Sequence, residues 1–353
     1  MSLTRNMNRR NPIVEGIIPQ EMLKAIAKNG TEAQKDIALH SLSLSGFIRG
    51  QRSVLGPVAF ITATPSDQKC RKVYDEHNTT DLPGDIVRNE GDPASGDVAV
   101  NEAYDGAGAT RDFYRDVFDR NSIDDKGMCI VSSVHYDQNY DNAFWDGKQM
   151  IYGDGDGDLF NSFTHCIDVI GHELTHGVTQ YEADLDYSNQ PGAMNESFSD
   201  VMGILVKQKV LRQTADKADW LIGEGLFTPK VKGVALRSMK EPGTAYNDPV
   251  LGKDSQPGNM KNYVKTRNDS GGVHTNSGIP NHAFYLAAIE IGGNAWEKAG
   301  KIWYITLRDR LRAKSQFKDA AKATVLVAGD LFKTGSAEQN AVKKAWADVG
   351  IKV

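Results

Sequence analysis

The chain has 353 residues, 40% of them hydrophobic and 25% charged, with a formal net charge of -5 at pH 7. That length accommodates more than one cored unit, and the balance is that of a globular protein rather than a disordered or collagen-like chain. The Lys and Arg residues are scattered rather than gathered into a stripe, which argues against nucleic acid as a partner; no apolar run reaches membrane-spanning length; and three cysteines, Cys70, Cys129 and Cys166, allow at most one internal bridge.

The N-terminus, "MSLTRNMNRRNPIVEG", is basic, but no apolar stretch follows it as in a secretory leader. Residues 20–29 read as a short helix stopped by Gly30. Thr31 then caps a second helix, with Gln34 in the capping-box position and Ile37, Leu39 and Leu42 as its apolar side. The following "SGFIRGQRSVLG", residues 45–56, has Gly and Arg but no strong period and reads as a linker, with a boundary near Gly50. From Leu55 to about Gly157 strand and turn signals dominate: "VAFITAT" at 58–64, "GDVAVNEAY" at 96–104, "MCIVSSVHY" at 128–136, and "NAFWDGKQMIYG" at 142–153 with Asp146-Gly147 as a hairpin turn. One helix, "TRDFYRDVFDR", interrupts them. From Phe160 onward helical periods prevail, in "NESFSDVMGILVKQ", "IPNHAFYLAAIEIG", "WEKAGKIWYITLRDRL" and "DAAKATVLVAGDLF". The expected fold class is α+β, a β-rich part followed by a helical part, with a cleft at the seam.

At that seam stands "VIGHELTHGVTQ". On a helix His172 and His176 lie one turn apart on one face, able to meet a single metal ion, with Glu173 beside them. Satisfied core histidines would explain a pair of this kind equally well if it stood alone. Further on, "GAMNESFSD" places Glu196 and Asp200 on one face of a second helix. Glu196 completes a His, His, Glu set that leaves a fourth position to water, the arrangement of a catalytic zinc site. Asp200 is then placed to accept a hydrogen bond from the unligated nitrogen of His172.

"HELTH", "NESFSD", "SSVHYDQNYDNAFWDGKQMIYGDGDG", "ALRSM" and "GGVHTNSGIPNHAFYL" together resemble the motifs of the thermolysin family of zinc endopeptidases, over a match running from about Tyr74 to the C-terminus. The short two-helix N-terminal segment is similar to that of the protealysin-like subgroup, although "IIPQEML" lacks the paired prolines usual there. The resemblance implies three parts: a propeptide at 1–50, a β-rich catalytic domain at 51–181 that includes the HExxH helix, and a helical catalytic domain at 182–353. It implies one catalytic Zn2+ on His172, His176 and Glu196, and Glu173 as the general base that passes a proton from the zinc-bound water to the leaving amine. His274 resembles the family's oxyanion donor, oriented by Asp269, with Tyr187 as its companion. Arg237 resembles the arginine that grips a substrate carbonyl, and Asn142-Ala143 the edge strand that pairs with the substrate backbone. Phe160, Phe163, Val169 and Leu236 match positions lining the pocket for a bulky apolar residue just after the cut bond.

The family's paired Ca2+ site is expected to be lost. Asp168, Asp219 and Glu224 match three of its acids, but Lys207 and Leu221 replace two others, so Lys207 is expected to pair with Asp168 or Glu224 instead. Asp154, Asp156 and Asp158 mimic half of an EF-hand loop, which fails at Leu159 and His165. The partners implied are protein or peptide substrates and the chain's own propeptide, on a monomer without nucleic acid or membrane. The family resemblance points to secretion, while the N-terminal sequence leaves cytoplasmic retention or another export route open. The competing readings are a zinc aminopeptidase, for which the upstream "GxMEN" block is missing, and a stored inactive zymogen or zinc-binding protein.

Overall fold

The computed structural model describes residues 16–55 and 67–353. Helix α1, Gln20–Asn29, ends at Gly30, and α2 spans Glu32–Leu55. The capping box is present, with Thr31 N–H donating to Gln34 Oε1 at 2.9 Å and Gln34 N–H to Thr31 Oγ1 at 3.4 Å. Two expectations fail here. Leu39 is exposed, and the buried positions of α2 are Ala38 and Ser41. Residues 45–55, expected as a linker, continue the helix, because single glycines lower helix propensity by only about 1 kcal/mol each and need not end a helix. The strand expected at 58–64 lies outside the described residues.

A five-stranded sheet follows, in the order β2-β1-β3-β5-β4, from β1 (Arg71–Asp75), β2 (Asp85–Asn89), β3 (Ile130–Val134), β4 (Ala143–Trp145) and β5 (Met150–Tyr152). The central strands β1, β3 and β5 are parallel, while β2 and β4 are antiparallel edges. The β4–β5 hairpin turns where expected: Gly147 takes φ 100°, and Asp146 Oδ1 accepts the N–H groups of Lys148 and Gln149 at 2.8 Å. One bridge, Cys70–Cys129, ties the chain at the start of β1 to the start of β3, and Cys166 is free and buried.

Within the stretch 96–104, residues 98–104 are helical rather than extended, and with most of the expected helix at 110–120 they make one helix, α3, Val98–Phe118. Asp97 caps it, accepting from Ala99 N–H at 2.8 Å and Val100 N–H at 3.2 Å, and Val100, Ala103, Tyr104 and Ala107 bury one helical face. The cap and this period-3.6 burial outweigh the valine alternation that suggested a strand.

Helices α4 (Ile167–Tyr181) and α5 (Asn189–Leu211) cross closely. A Cβ on Gly203 would lie 2.4 Å from the Asp168 carbonyl oxygen, and one on Gly171 would lie 3.0 Å from Gly203 Cα, so both positions require glycine for the backbones to approach. Beyond α5 come the short hairpins β6–β7 (Leu221–Ile222, Arg237–Ser238) and β8–β9 (Asn247–Asp248, Gly252–Lys253). The helices α6 (Asp269–Asn276), α7 (Gly278–Ile291), α8 (Ala299–Ile305), α9 (Phe317–Phe332) and α10 (Ala337–Asp348) complete the chain. Residues 296–311, expected as one helix, split: α8 passes into a wider π turn at Thr306–Arg310. Trp303 and Trp346 stack at 6.1 Å in the core of this helical part. The whole is the expected α+β architecture, a sheet-bearing part and a helical part meeting along α4.

Lys207 on α5 is buried and forms ion pairs with Asp219 at 2.9 Å and Glu224 at 3.2 Å. Of the two partners expected, Glu224 is met directly. Asp168 lies near enough to act on the ammonium by charge but spends one oxygen on the Gly223 N–H at 2.8 Å. The three EF-hand-like acids diverge: Asp154 binds His135, Asp156 accepts three backbone N–H groups, and Asp158 binds Lys230 and Gln34.

His135 lies between Asp154, whose oxygens are 2.9 Å from Nδ1, and Asp97, 3.0 Å from Nε2. The hydrogen bond to Asp154, opposed by partial burial and aided by Asp97, raises its pKa from 6.5 to about 9. A raised pKa in the folded state means the imidazolium stabilises the fold fully below about 6.5, and that this contribution is lost as pH climbs through about 9. Thermal unfolding across that range is expected to show a falling Tm in the wild type and a flatter profile in His135→Gln. Equal slopes would show that the clamp contributes nothing.

Candidate active site

Because α4 and α5 touch at Gly171 and Gly203, side chains one and two turns from the crossing face each other across a narrow gap. His172, Glu173 and His176 on α4 meet Glu196 and Asp200 on α5, and all five are buried. The Nε2 atoms of His172 and His176 are 3.0 Å apart; Glu196 Oε2 is 3.5 Å from the first and Glu196 Oε1 is 3.4 Å from the second. Glu173 Oε2 accepts the Trp145 N–H at 3.0 Å, which turns that carboxylate toward β4. Donor atoms of His172, Glu173 and His176 fall within 4.8 Å of one another, the one such group among the described residues. Of the two glutamates, Glu196 is the better third ligand because its oxygens lie 3.5 and 3.4 Å from the two imidazole nitrogens, whereas Glu173 spends one oxygen on Trp145.

A zinc ion fits this set. Two imidazole nitrogens and a carboxylate converge as a tetrahedral site requires, and Glu196 Oε2 and Glu173 Oε1 are buried without a hydrogen-bond partner. Each ligand is also aimed by a further group. His172 Nδ1 is 2.8 Å from Asp200 Oδ1, as anticipated, and His176 Nδ1 is 2.8 Å from Asn195 Oδ1 and 3.1 Å from Ser199 Oγ. Asn195 and Ser199 were not singled out from sequence. The signal that could have found them is their place flanking Glu196, on the side of α5 that faces α4.

The buried carboxylate of Asp200 is compensated twice over. Arg237 contacts it through Nε at 3.0 Å and Nη2 at 2.9 Å, and Asn281 Nδ2 donates at 2.8 Å. Burial alone would raise the pKa of Asp200; Arg237 and His172 overcome it and hold the group down to about 2. Burial pushes Glu173 up to about 8, before the charge of any metal is counted.

On the far side, Asp269 Oδ1 lies 2.6 Å from His274 Nδ1 and its Oδ2 accepts the His274 N–H at 2.9 Å. The backbone makes this possible by curling left-handed through Asp269, Ser270, Gly271 and Gly272, with φ 52°, 49°, 90° and 80°. His274 Nε2 is left facing Glu196 Oε2 at 3.5 Å, and the Tyr187 hydroxyl lies 3.4 Å from that nitrogen while donating to Glu196 Oε1. Phe160, Phe163, Val169 and Leu236 are buried in the same hydrophobic cluster, with the two phenylalanine rings 6.0 Å apart.

The N-terminal segment runs through this site. Ile17 donates its N–H to the Ala143 carbonyl at 3.1 Å and its own carbonyl accepts from Arg237 Nη1 at 3.3 Å. Asn142 Oδ1 accepts the Ile18 N–H at 3.0 Å, and its Nδ2 donates to the Ile18 carbonyl at 3.4 Å. Ile17 and Ile18 are 0% and 1% exposed and join the main core cluster, which also contains Phe160, Phe163, Val169 and Leu236, a burial worth about 1.5–3 kcal/mol per side chain. A cavity of about 330 Å³ remains between α1 and the β8–β9 hairpin, reaching Arg237 and His274. The helix α2 docks beside β4: Ser45 Oγ lies 3.1 Å from the Tyr140 hydroxyl, Ser41 Oγ accepts the Asp141 N–H at 3.1 Å, and Leu44 and Ile48 cover Tyr136, Tyr140 and Phe144.

With this geometry in hand, comparison with known proteins is informative. Residues 62–180 match the model of the thermolysin metallopeptidase catalytic domain, and residues 183–351 that of the thermolysin metallopeptidase alpha-helical domain. Protease PrtS of Photorhabdus sp. (strain Az29) is 51% identical over 357 residues, covering 98% of this chain and 95% of its own length. The extracellular metalloprotease of Pectobacterium carotovorum subsp. carotovorum is 47% identical, covering 96% of each chain. Among solved structures, the precursor of protealysin, a metalloproteinase from Serratia proteamaculans, superposes with a TM-score of 0.88 at 51% identity, over 96% of this chain and all of that one.

Removing the oxygen that aims His176 should loosen the metal set without dismantling it. Asn195→Ala is expected to lower zinc affinity by about 10–100-fold, measured by competition with a chromophoric chelator, with the far-UV spectrum unchanged. Wild-type affinity in that variant would show that Asn195 does not hold the ring.

Proposed function

Since the chain belongs to the thermolysin family of zinc metalloendopeptidases, we propose that it cuts peptide bonds ahead of a bulky apolar residue and is made as a zymogen, with residues 1 to about 50 covering the site until self-cleavage removes them. The observation that carries this reading is the convergence of His172, His176 and Glu196 beside a Glu173 oxygen that has no other partner. Those three side chains would hold a zinc ion, which would supply an acidified water and a Lewis acid for the scissile carbonyl. Glu173 is the base that takes a proton from the attacking water and delivers it to the departing amine. His274, charged and oriented by Asp269, and Tyr187 donate to the oxygen that gains negative charge. Asp200 fixes the ring of His172 and, through Arg237, the group that holds the substrate carbonyl. Asn142 and Ala143 pair with the substrate backbone, and Phe160, Phe163, Val169 and Leu236 receive the side chain that follows the cut bond.

Maturation near "FIRGQRS" requires the last turns of α2 to open first, since those residues are helical. The substrates are proteins or peptides, and the enzyme acts as a monomer outside the cell. Export is supported by the extracellular relative and by the Cys70–Cys129 bridge, a linkage that persists in oxidising compartments. No described helix is long and apolar enough to cross a membrane.

A peptide library and metal analysis test the chemistry together. Matured wild type is expected to favour Leu, Ile, Val or Phe after the cut, and Glu173→Ala to keep its zinc while losing more than about 100-fold in turnover. Acidic or basic preference at that position would sink the proposed pocket, and a fully active variant would sink the proposed base.

In place of the family's paired calcium site we propose that Lys207 neutralises Asp168, Asp219 and Glu224. Two calcium ions require more carboxylate oxygens than remain, and a buried ammonium occupies the acids that do. Heat inactivation of zinc-saturated enzyme is expected to be insensitive to added calcium at this site, while Lys207→Met destabilises by about 2–3 kcal/mol, at the low end for a broken ion pair because its partners are partly solvated. Calcium bound beside Asp168, by titration or anomalous scattering, would overturn this.

A further inference from the structure

The residue held most like a substrate belongs to the chain itself. Under the reading just proposed, on which this inference rests, Arg237 grips the carbonyl of the residue following the cut bond and the apolar pocket takes its side chain. Ile17 meets the first condition, with its carbonyl on Arg237 and its N–H on Ala143, and its side chain is fully buried in the core cluster that also contains Phe160, Phe163, Val169 and Leu236. Ile18 is held at both backbone groups by Asn142, so the register is fixed at two successive residues. Pro19 then leads the chain into α1. By this register, the bond before Ile17 corresponds to the cut bond of a substrate.

Gly16 is part of the fit. A Cβ there would lie 2.4 Å from the Ala143 carbonyl oxygen and 2.5 Å from Asn142 Oδ1, closer than real Cβ atoms come to such groups. Any other residue at 16 would push the segment off β4 and break the hydrogen bonds at 17 and 18.

We propose that the Gly16–Ile17 peptide bond is the first substrate of this enzyme, cut within the same molecule before any cleavage near residues 47–53. Glu173 takes a proton from water, and the water oxygen forms a bond to the Gly16 carbonyl carbon. The carbon–nitrogen bond to Ile17 then breaks, and the Ile17 nitrogen leaves as an amine carrying the proton from Glu173. A carboxylate ends the peptide 1–16, and a new N-terminus begins "IIPQEM".

This cut does not free the site. The contacts that hold α2 lie downstream of it: Gln34 Nε2 to Asp158 at 2.6 Å, His40 to Asp137 at 2.6 Å, and the Ser41 and Ser45 contacts beside β4. The nicked chain is therefore an inhibited intermediate, and release awaits the second cut.

The test is intact-mass analysis and N-terminal sequencing of freshly purified full-length protein with zinc, followed in time. The expected first species begins at Ile17, forms at a rate independent of protein concentration, and is absent from Glu173→Ala. In Gly16→Val its formation is expected to slow by at least about tenfold. The proposal is overturned if cutting near residues 47–53 comes first, if the Ile17 species forms equally in Glu173→Ala, if its rate rises with concentration, or if Gly16→Val is nicked as fast as wild type. Turnover of an external peptide by matured enzyme separates the two readings. External turnover without an Ile17 species sinks this inference alone, whereas no external turnover sinks the assigned activity beneath it.

Discussion

Everything at the centre of this molecule depends on how closely α4 approaches α5. Gly171 and Gly203 remove the side chains that would hold the helices apart, and the backbone carbonyl of Asp168 fills the space a Cβ would need at Gly203. Helices packed through ordinary side chains sit about 8–10 Å apart. The glycine contact trades the burial of two side chains for a geometry in which Glu196 spans both imidazoles.

From that contact a chain of compensated charges runs outward. His172 leans on Asp200, Asp200 on Arg237 and Asn281, and Arg237 reaches the carbonyl of Ile17. Charges this deeply buried are tolerable only when each finds a partner, and removing one member typically costs 3–5 kcal/mol. The same guanidinium that steadies Asp200 also holds the N-terminal segment that runs through the site.

What could be read from sequence divides along physical lines. His172, His176, Glu196 and Asp200 were legible because helical spacing alone puts each pair on one face, and Asp269, His274 and Arg237 because they stand in motifs. Lys207 was legible as a charge among acids, although its nearest partner proved to be Asp219, whose position depends on the loop after α5. The start of α3 was misread because Asp97 capping and tertiary burial decided a segment whose valines favour a strand. The helical course of α2 past Ser45 was hidden for a similar reason: Leu44 and Ile48 rest on an aromatic surface, which no local period reports. Asn195 escaped because an amide beside a ligand has no signature until the ring it aims is placed.

The edge strand β4 has a consequence of another kind. An open sheet edge is a template for any extended chain, and it invites self-association as readily as it binds a substrate. Here the strand is only three residues long, and the Ile17 N–H occupies its first carbonyl. The full-length chain thus carries its own stopper against edge-to-edge aggregation, and a chain without that segment would present the edge bare.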